Sequence, residues 1–135
     1  MPIFGAIGIA GTGVTVYRKW LDAISDNIAN MDNASPTSGP AFQAKYVIAK
    51  AVNYGKGTDG VEIGGIALGS AEGRLVYEPA NALADEDGYV RYPDIDLSSQ
   101  MTQMIMAQRG YQANLSVVDR AKDAYQAALQ IGKNV

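Results

Sequence analysis

A single apolar stripe runs along the last third of this chain, and its spacing limits the fold more than any other feature. Leu97, Met101, Met104, Gln108, Tyr111, Leu115, Val118, Lys122, Tyr125 and Leu129 follow one another at alternating steps of four and three residues, and only Gln108 and Lys122 are polar. Sustained 3.5-residue spacing belongs to a helix that lies along another helix. Pro93 blocks continuation from upstream, Asp96 suits the N-cap, and Gly132 stands where a left-handed C-terminal residue is expected. At ~1.5 Å per residue the rod is roughly 50 Å long, against a usual globular helix of about 11–12 residues.

The first 31 residues carry a matching pattern. Ile7, Val14, Leu21 and Ile28 recur every seven residues, with Ala10, Tyr17, Ile24 and Met31 three residues after each. Both core positions of a heptad are therefore filled, and the two ends of the chain read as partners. Gly5, Gly8, Gly11 and Gly13 each weaken this first helix by up to about 1 kcal/mol relative to Ala, so it is expected to order only when packed. Positive charge follows the apolar start, at Arg18 and Lys19, instead of preceding it; the stretch is also too short and glycine-rich for a membrane span. Neither a cleaved signal nor membrane insertion is expected.

Between these arms the chain changes character. Asn33 to Pro40 is a loop by composition, Phe42 to Val52 has the β-branched and aromatic residues of a strand, and Val61–Leu68 and Arg74–Tyr77 read as further strands. Tyr54 to Gly60 is the expected turn between the first two, and Asp87-Gly88 is a hairpin signal between Ala84 and Tyr92. Residues 32–96 hold ten of the fourteen acidic side chains against five basic ones, whereas residues 1–31 balance two against two. The expected fold is mainly α: residues 1–31 and 97–135 form long helices that pair as a coiled coil in one helical domain, and residues 32–96 form a small insertion rich in β-hairpins.

The composition removes whole classes of chemistry. Without Cys or His there is no thiol nucleophile, disulfide, imidazole base, common zinc site or serine–histidine triad. A net charge of −3 argues against a phosphate-binding surface and hence against nucleic acid. Gly8-Ile9-Ala10-Gly11-Thr12-Gly13 has the glycine density of a nucleotide loop, but no strand precedes it and no lysine follows Gly13, so close helix packing explains it better. Asp85, Glu86, Asp87, Asp94 and Asp96 lack the ligand spacing of a calcium loop and read as a solvated turn plus an N-cap. Tyr17 and Trp20, beside the heptad, are read as packing residues and not as a ligand-stacking pair; Met101 and Met104 are read likewise. No catalytic, cofactor-binding or metal-binding residue is expected.

Two paired helices leave too much apolar surface uncovered. Ile105, Ala107, Ala113, Val117, Ala121, Ala124, Ala127, Ala128 and Ile131 lie beyond the stripe, so the C-terminal helix is apolar on more than one face. Such a helix needs more neighbours than one partner provides. Repeated head-to-tail contact between copies builds a ring or filament, which makes a polymerising structural protein the natural reading. A helical-hairpin adaptor, or a secretion-apparatus subunit that binds a partner without polymerising, is the alternative.

Particular residues sharpen this. Leu21-Asp22-Ala23-Ile24-Ser25-Asp26-Asn27-Ile28-Ala29-Asn30 resembles the N-terminal motif of bacterial flagellar rod and hook proteins. Asp85 to Pro93, Ala107-Gln108-Arg109-Gly110-Tyr111-Gln112-Ala113-Asn114 and Ala127 to Gly132 are similar to the proximal-rod members of that family. The resemblance implies a non-enzymatic subunit of the flagellar basal body that transmits motor torque. Its partners would be copies of itself and other rod proteins (FlgB-, FlgF- and FliE-like neighbours). It also implies delivery by the flagellar type III export apparatus, without a cleaved signal, to the rod that crosses the periplasm. Leu21, Ile24, Ile28, Met104, Tyr111, Leu115 and Val118 are then expected to carry packing between helices and subunits, and Asn27, Asn30, Gln108, Arg109, Gln112 and Asn114 to satisfy polar contacts. Gly110 stands where the family more often has Ala, and is expected to admit a close subunit contact.

Overall fold

The computed structural model describes residues 3–55 and 59–133. Two long helices, α1 (Ile3–Asn30) and α2 (Leu97–Lys133), enclose in sequence four strands: β1 (Lys45–Asn53), β2 (Asp59–Leu68), β3 (Arg74–Tyr77) and β4 (Tyr89–Tyr92). Lys56, Gly57 and Thr58, the centre of the expected first turn, lie outside the described residues, as do the two residues at each end of the chain.

α2 starts where its chemistry requires. The Asp96 carboxylate accepts the Ser99 backbone N–H at 2.8 Å, which satisfies one orphan donor of the first turn, and the Asp96 carbonyl accepts the first intrahelical bond, from the Gln100 N–H at 3.0 Å. The other end differs from expectation. Gly132 is helical and not left-handed, and the helix continues to Lys133. α1 is helical through its glycines as well.

The helices run antiparallel, in a register set by side chains. Asn114 faces Gly13, Tyr17 faces Gly110, and Asn27 bonds Gln100. The step of four from Gly13 to Tyr17 is thus matched by four back from Asn114 to Gly110, and the ten from Tyr17 to Asn27 by ten back from Gly110 to Gln100.

This register corrects the stripe read from sequence. The inward face of α2 is Gln100, Met104, Ala107, Tyr111, Asn114, Val118 and Ala121, all buried or half-buried. It shares Met104, Tyr111 and Val118 with the expected seam. The alternate positions move by one residue, so Met101, Gln108, Leu115, Lys122 and Leu129 are exposed instead; Leu97 and Tyr125 keep the phase of the inward stripe but are exposed near the two ends of the helix. Heptad spacing alone does not fix which of two adjacent residues points inward. Here backbone approach decides it, because Tyr17 occupies the space a side chain at position 110 would fill and Asn114 the space at position 13.

The two hairpins are separate two-stranded sheets. β1 and β2 pair antiparallel from Lys45↔Leu68 to Asn53↔Asp59, with a bulge between Ile48 and Ala49 that leaves Gly64 unmatched. The extra residue resets the alternation, so Val61 and Ile63 on one side of it and Ile66 and Leu68 on the other all lie toward α1. β3 pairs with β4 from Arg74↔Tyr92 to Tyr77↔Tyr89. Asp87-Gly88 does not join two adjacent strands as expected. It closes the loop 78–88, whose last turn the Asp85 carboxylate holds by accepting the N–H groups of Asp87 (3.1 Å) and Tyr89 (2.9 Å), with Gly88 at φ 82°.

Ser35 and Arg91 exchange backbone hydrogen bonds at 2.8 and 2.9 Å, which ties the loop after α1 to β4. The Arg91 guanidinium donates to the Glu72 and Thr37 carbonyls and clamps two further loops. Ala41, Val90, Pro93 and Ile95 are buried in this region, and Ala10, Val16, Ala23, Ile24 and Ala107 along the helices.

Candidate assembly site

The most constrained polar group in the molecule is Asn27, at 1% exposure. Its Nδ2 donates to the Lys45 carbonyl at 3.0 Å and to Gln100 Oε1 at 3.1 Å, and its Oδ1 accepts the Lys45 N–H at 2.7 Å. One amide therefore joins α1, the start of β1 and the first turn of α2. Its Oδ1 and Nδ2 both find partners, as a buried amide requires. Gln100 is itself 3% exposed. One residue earlier, Asp26 pairs with Lys45 Nζ at 2.7 Å, and that hydrogen bond and charge hold the carboxyl below its ordinary value. Asn30 Nδ2 donates to the Asp26 carbonyl at 2.8 Å and closes the last turn of α1.

The remaining expected residues fall into two groups. Ile24 is buried and Leu21, Ile28, Met104, Tyr111 and Val118 are half-buried, whereas Leu115 is exposed. Among the polar residues, Asn114 lies in the helix interface against Gly13 and donates to the Gly110 carbonyl at 2.8 Å. Gln108, Arg109 and Gln112 are exposed. Gly110 does admit a close contact, but within the chain, from the Tyr17 ring. Tyr17 in turn stacks on Trp20 at 6.0 Å between ring centroids, and both line an open apolar groove with Val16, Val47, Ala49 and Val61.

Gln100 and Lys45 were not singled out from sequence, and Ala107 was expected to lie beyond the stripe and not on the inward face. Gln100 and Ala107 follow the same four-and-three step as the expected stripe, one residue earlier, and small side chains at 107, 110 and 121 were the available signal for the closer face. Lys45 meets Asn27 through its backbone, which leaves no trace in residue type, while its ammonium pairs with Asp26.

Outside this interior, α2 presents apolar surface on two flanks. At ~100° per residue one flank carries Leu97, Met101, Ile105 and Leu115, and the other Met106, Ala113, Val117, Ala124 and Ile131; all are exposed. Ile131 is 69% exposed. Patches of this extent mark interaction surfaces. No described helix is long and apolar enough to cross a membrane.

A strut of two antiparallel helices, locked by a buried amide and apolar on its outer flanks, defines a structural assembly subunit. Residues 86–131 match the family described as flagellar basal body rod FlgEFG protein, C-terminal. Over 134 residues the chain is 33% identical to the flagellar basal-body rod protein FlgC of Salmonella typhimurium, covering 98% of this chain and 100% of the relative. It is 34% identical to FlgC of Escherichia coli O157:H7 with the same coverage, and 34% identical to FlgC of Borreliella burgdorferi over 97% of this chain and 98% of the relative. The chain belongs to the FlgC family of flagellar basal-body rod proteins.

Proposed function

We propose that this chain is a non-enzymatic structural subunit of the proximal rod of the bacterial flagellar basal body, polymerising through its terminal helices to transmit motor torque. Its neighbours are copies of itself and other rod proteins of the FlgB, FlgF and FliE kinds. It is delivered by the flagellar type III export apparatus and works in the part of the rod that crosses the periplasm. In the rod, α1 and α2 pair as a coiled coil, and Leu21, Ile28, Leu115, Gln108, Arg109 and Gln112 meet adjacent subunits.

The observation that carries this reading is the pair of exposed apolar flanks on α2, from Leu97 to Leu115 and from Met106 to Ile131. A soluble monomer has no use for so much uncovered apolar helix, whereas repeated contact between copies covers it. Torque then spreads over many packed side chains. The experiment is complementation of a flagellated host that lacks its own FlgC: the full chain restores rods and swimming, and a chain deleted of residues 1–31 restores neither. Rod assembly by the deleted chain would refute the proposal and favour an adaptor that binds without polymerising.

A further inference from the structure

Gly8 and Gly11 of α1 and Gly132 of α2 lie inside helices at points where a Cβ would meet nothing within 4 Å. Gly13 and Gly110 differ: at each, a side chain of the opposite helix occupies that point. Within the helix pair, then, a glycine on a contact face marks close approach. The other three have no such neighbour among the described residues, although helix interiors disfavour glycine.

Their placement follows the two helix faces. Phe4, Gly8, Gly11 and Thr15 recur at steps of four, three and four, the spacing of a single face, and carry no charge. Phe4 is 68% exposed. Gly132 continues the inward stripe of α2, which runs in phase from Gln100 through Ala121 to Tyr125, Ala128 and Gly132. Phe4, in the first described turn of α1, already meets Tyr125 at 5.5 Å between ring centroids. Beyond that contact the stripe passes the described part of α1, and Ala128, Leu129 and Gly132 are exposed.

We infer that this overhang, Ala128 to Gly132, docks on the Gly8–Gly11–Thr15 face of α1 in a second copy of the chain. The occupant follows from continuity: the overhang prolongs the surface that receives α1, so it is shaped for an α1 helix. The outer face of α1 is the matching surface: Gly8 and Thr15 are exposed, and a Cβ at the half-buried Gly11 meets nothing within 4 Å. The two surfaces are different parts of the molecule, so the contact is heterologous and propagates as an open polymer instead of closing as a dimer. The inference rests on the rod-subunit reading and gives it a register.

The chain contains no cysteine, which makes the contact directly readable. Two tagged populations, Gly8→Cys and Gly132→Cys, are produced together in a flagellated host lacking its own FlgC, and isolated basal bodies are oxidised. Disulfide dimers joining the two tags should exceed by at least tenfold those from Ser70→Cys with Gly132→Cys, since Ser70 lies on an exposed loop of the β region. Equal yields overturn the inference. In a second arm, Gly8→Leu starts from a Cβ position with nothing within 4 Å, so the purified variant keeps the helical circular dichroism of the parent while swimming falls at least tenfold. Parental swimming by Gly8→Leu overturns the inference and leaves the rod reading standing. Failure of the unsubstituted chain to restore swimming counts against the rod reading itself.

Discussion

Replacing Asn27 by alanine removes three hydrogen bonds at once: two donated by Nδ2, to the Lys45 carbonyl and Gln100 Oε1, and one accepted by Oδ1 from the Lys45 N–H. A net bond contributes about 1 kcal/mol, and a partner left unsatisfied in the interior costs about 1–3 kcal/mol. Gln100 is buried and must leave its acceptor unpaired or shift, whereas Lys45 is only partly buried and water can reach its backbone. The sum is about 3 kcal/mol, with the larger unsatisfied term confined to Gln100. For 135 residues, at ~2.1 cal/mol/K per residue, that is a fall in Tm of roughly 10 °C. Thermal unfolding of the purified chain, followed by circular dichroism, measures it. Asn30→Ala is the internal control, because Asn30 makes one bond in an exposed last turn and should cost about 0.5–1 kcal/mol. A double-mutant cycle with Gln100→Ala should return about 1 kcal/mol of coupling between the two amides. Equal losses for Asn27→Ala and Asn30→Ala, or no coupling in the cycle, would refute the clamp.

Gly110→Ala places a methyl group in the Tyr17 ring and should destabilise the chain by about 1–3 kcal/mol in chemical denaturation despite alanine's better helix propensity; Gly8→Ala, with open space, should stabilise the purified chain by up to about 1 kcal/mol. Gly73→Ala should cost about 1–3 kcal/mol in the same assay, since Gly73 sits at φ 59° and a Cβ there meets the Tyr92 carbonyl. Asp85 and Asp26 have carboxyls held below the ordinary value of 3.8, Asp85 first by the Tyr89 N–H and then by Thr37, and Asp26 by Lys45. Their stabilising effect is therefore complete above that ordinary value and is lost as pH falls through the lowered one. Denaturation midpoints should drop on acidification through this range, and Thr37→Ala should raise the Asp85 titration midpoint toward 3.8 in an NMR titration. An unchanged Asp85 midpoint in Thr37→Ala would remove the hydroxyl from that account.

The two helices, the strand Arg74–Tyr77 and the Asp96 cap were legible because each rests on local chemistry: period, β-propensity, a side-chain oxygen at the right offset. The inward face of α2 was half legible. A heptad pattern with apolar residues at both 100/101 and 107/108 neighbourhoods leaves two rotations open, and the larger side chains, Met101 and Leu115, favour the wrong one by transfer free energy alone. What selects the other is the approach of two backbones at Gly13 and Gly110, a property of the pair and invisible in either helix. The Asp87-Gly88 signal misled for a related reason. A turn is encoded locally, but the partner of the strand that follows it is not, and the Glu78 N–H to Gly88 carbonyl bond at 2.8 Å extends the β3–β4 ladder across the loop.

The same rotation explains an inversion of the usual pattern. In α1 and α2 the fully buried positions include Asn27 and Gln100, while Met101, Ile105, Met106, Leu129 and Ile131 face outward. Burying amides in place of aliphatic side chains sacrifices transfer free energy, and exposing five large apolar groups sacrifices it again, so an isolated monomer is a poor optimum for this sequence. Both choices become favourable once other helices cover the flanks. The amides then define a single geometry between helix pair and hairpin through directional bonds, which non-directional apolar contact could not do alone, and the apolar groups supply contact area between copies. A polar clamp inside and an apolar coat outside divide the work between a fixed subunit shape and adhesion between subunits. It follows that outward substitutions such as Met106→Ser should leave the unfolding midpoint of the purified chain within about 0.5 kcal/mol of the parent while reducing swimming, whereas Asn27→Ala lowers both. A Met106→Ser variant that loses monomer stability as Asn27→Ala does would mean that the outer coat belongs to the subunit's own core.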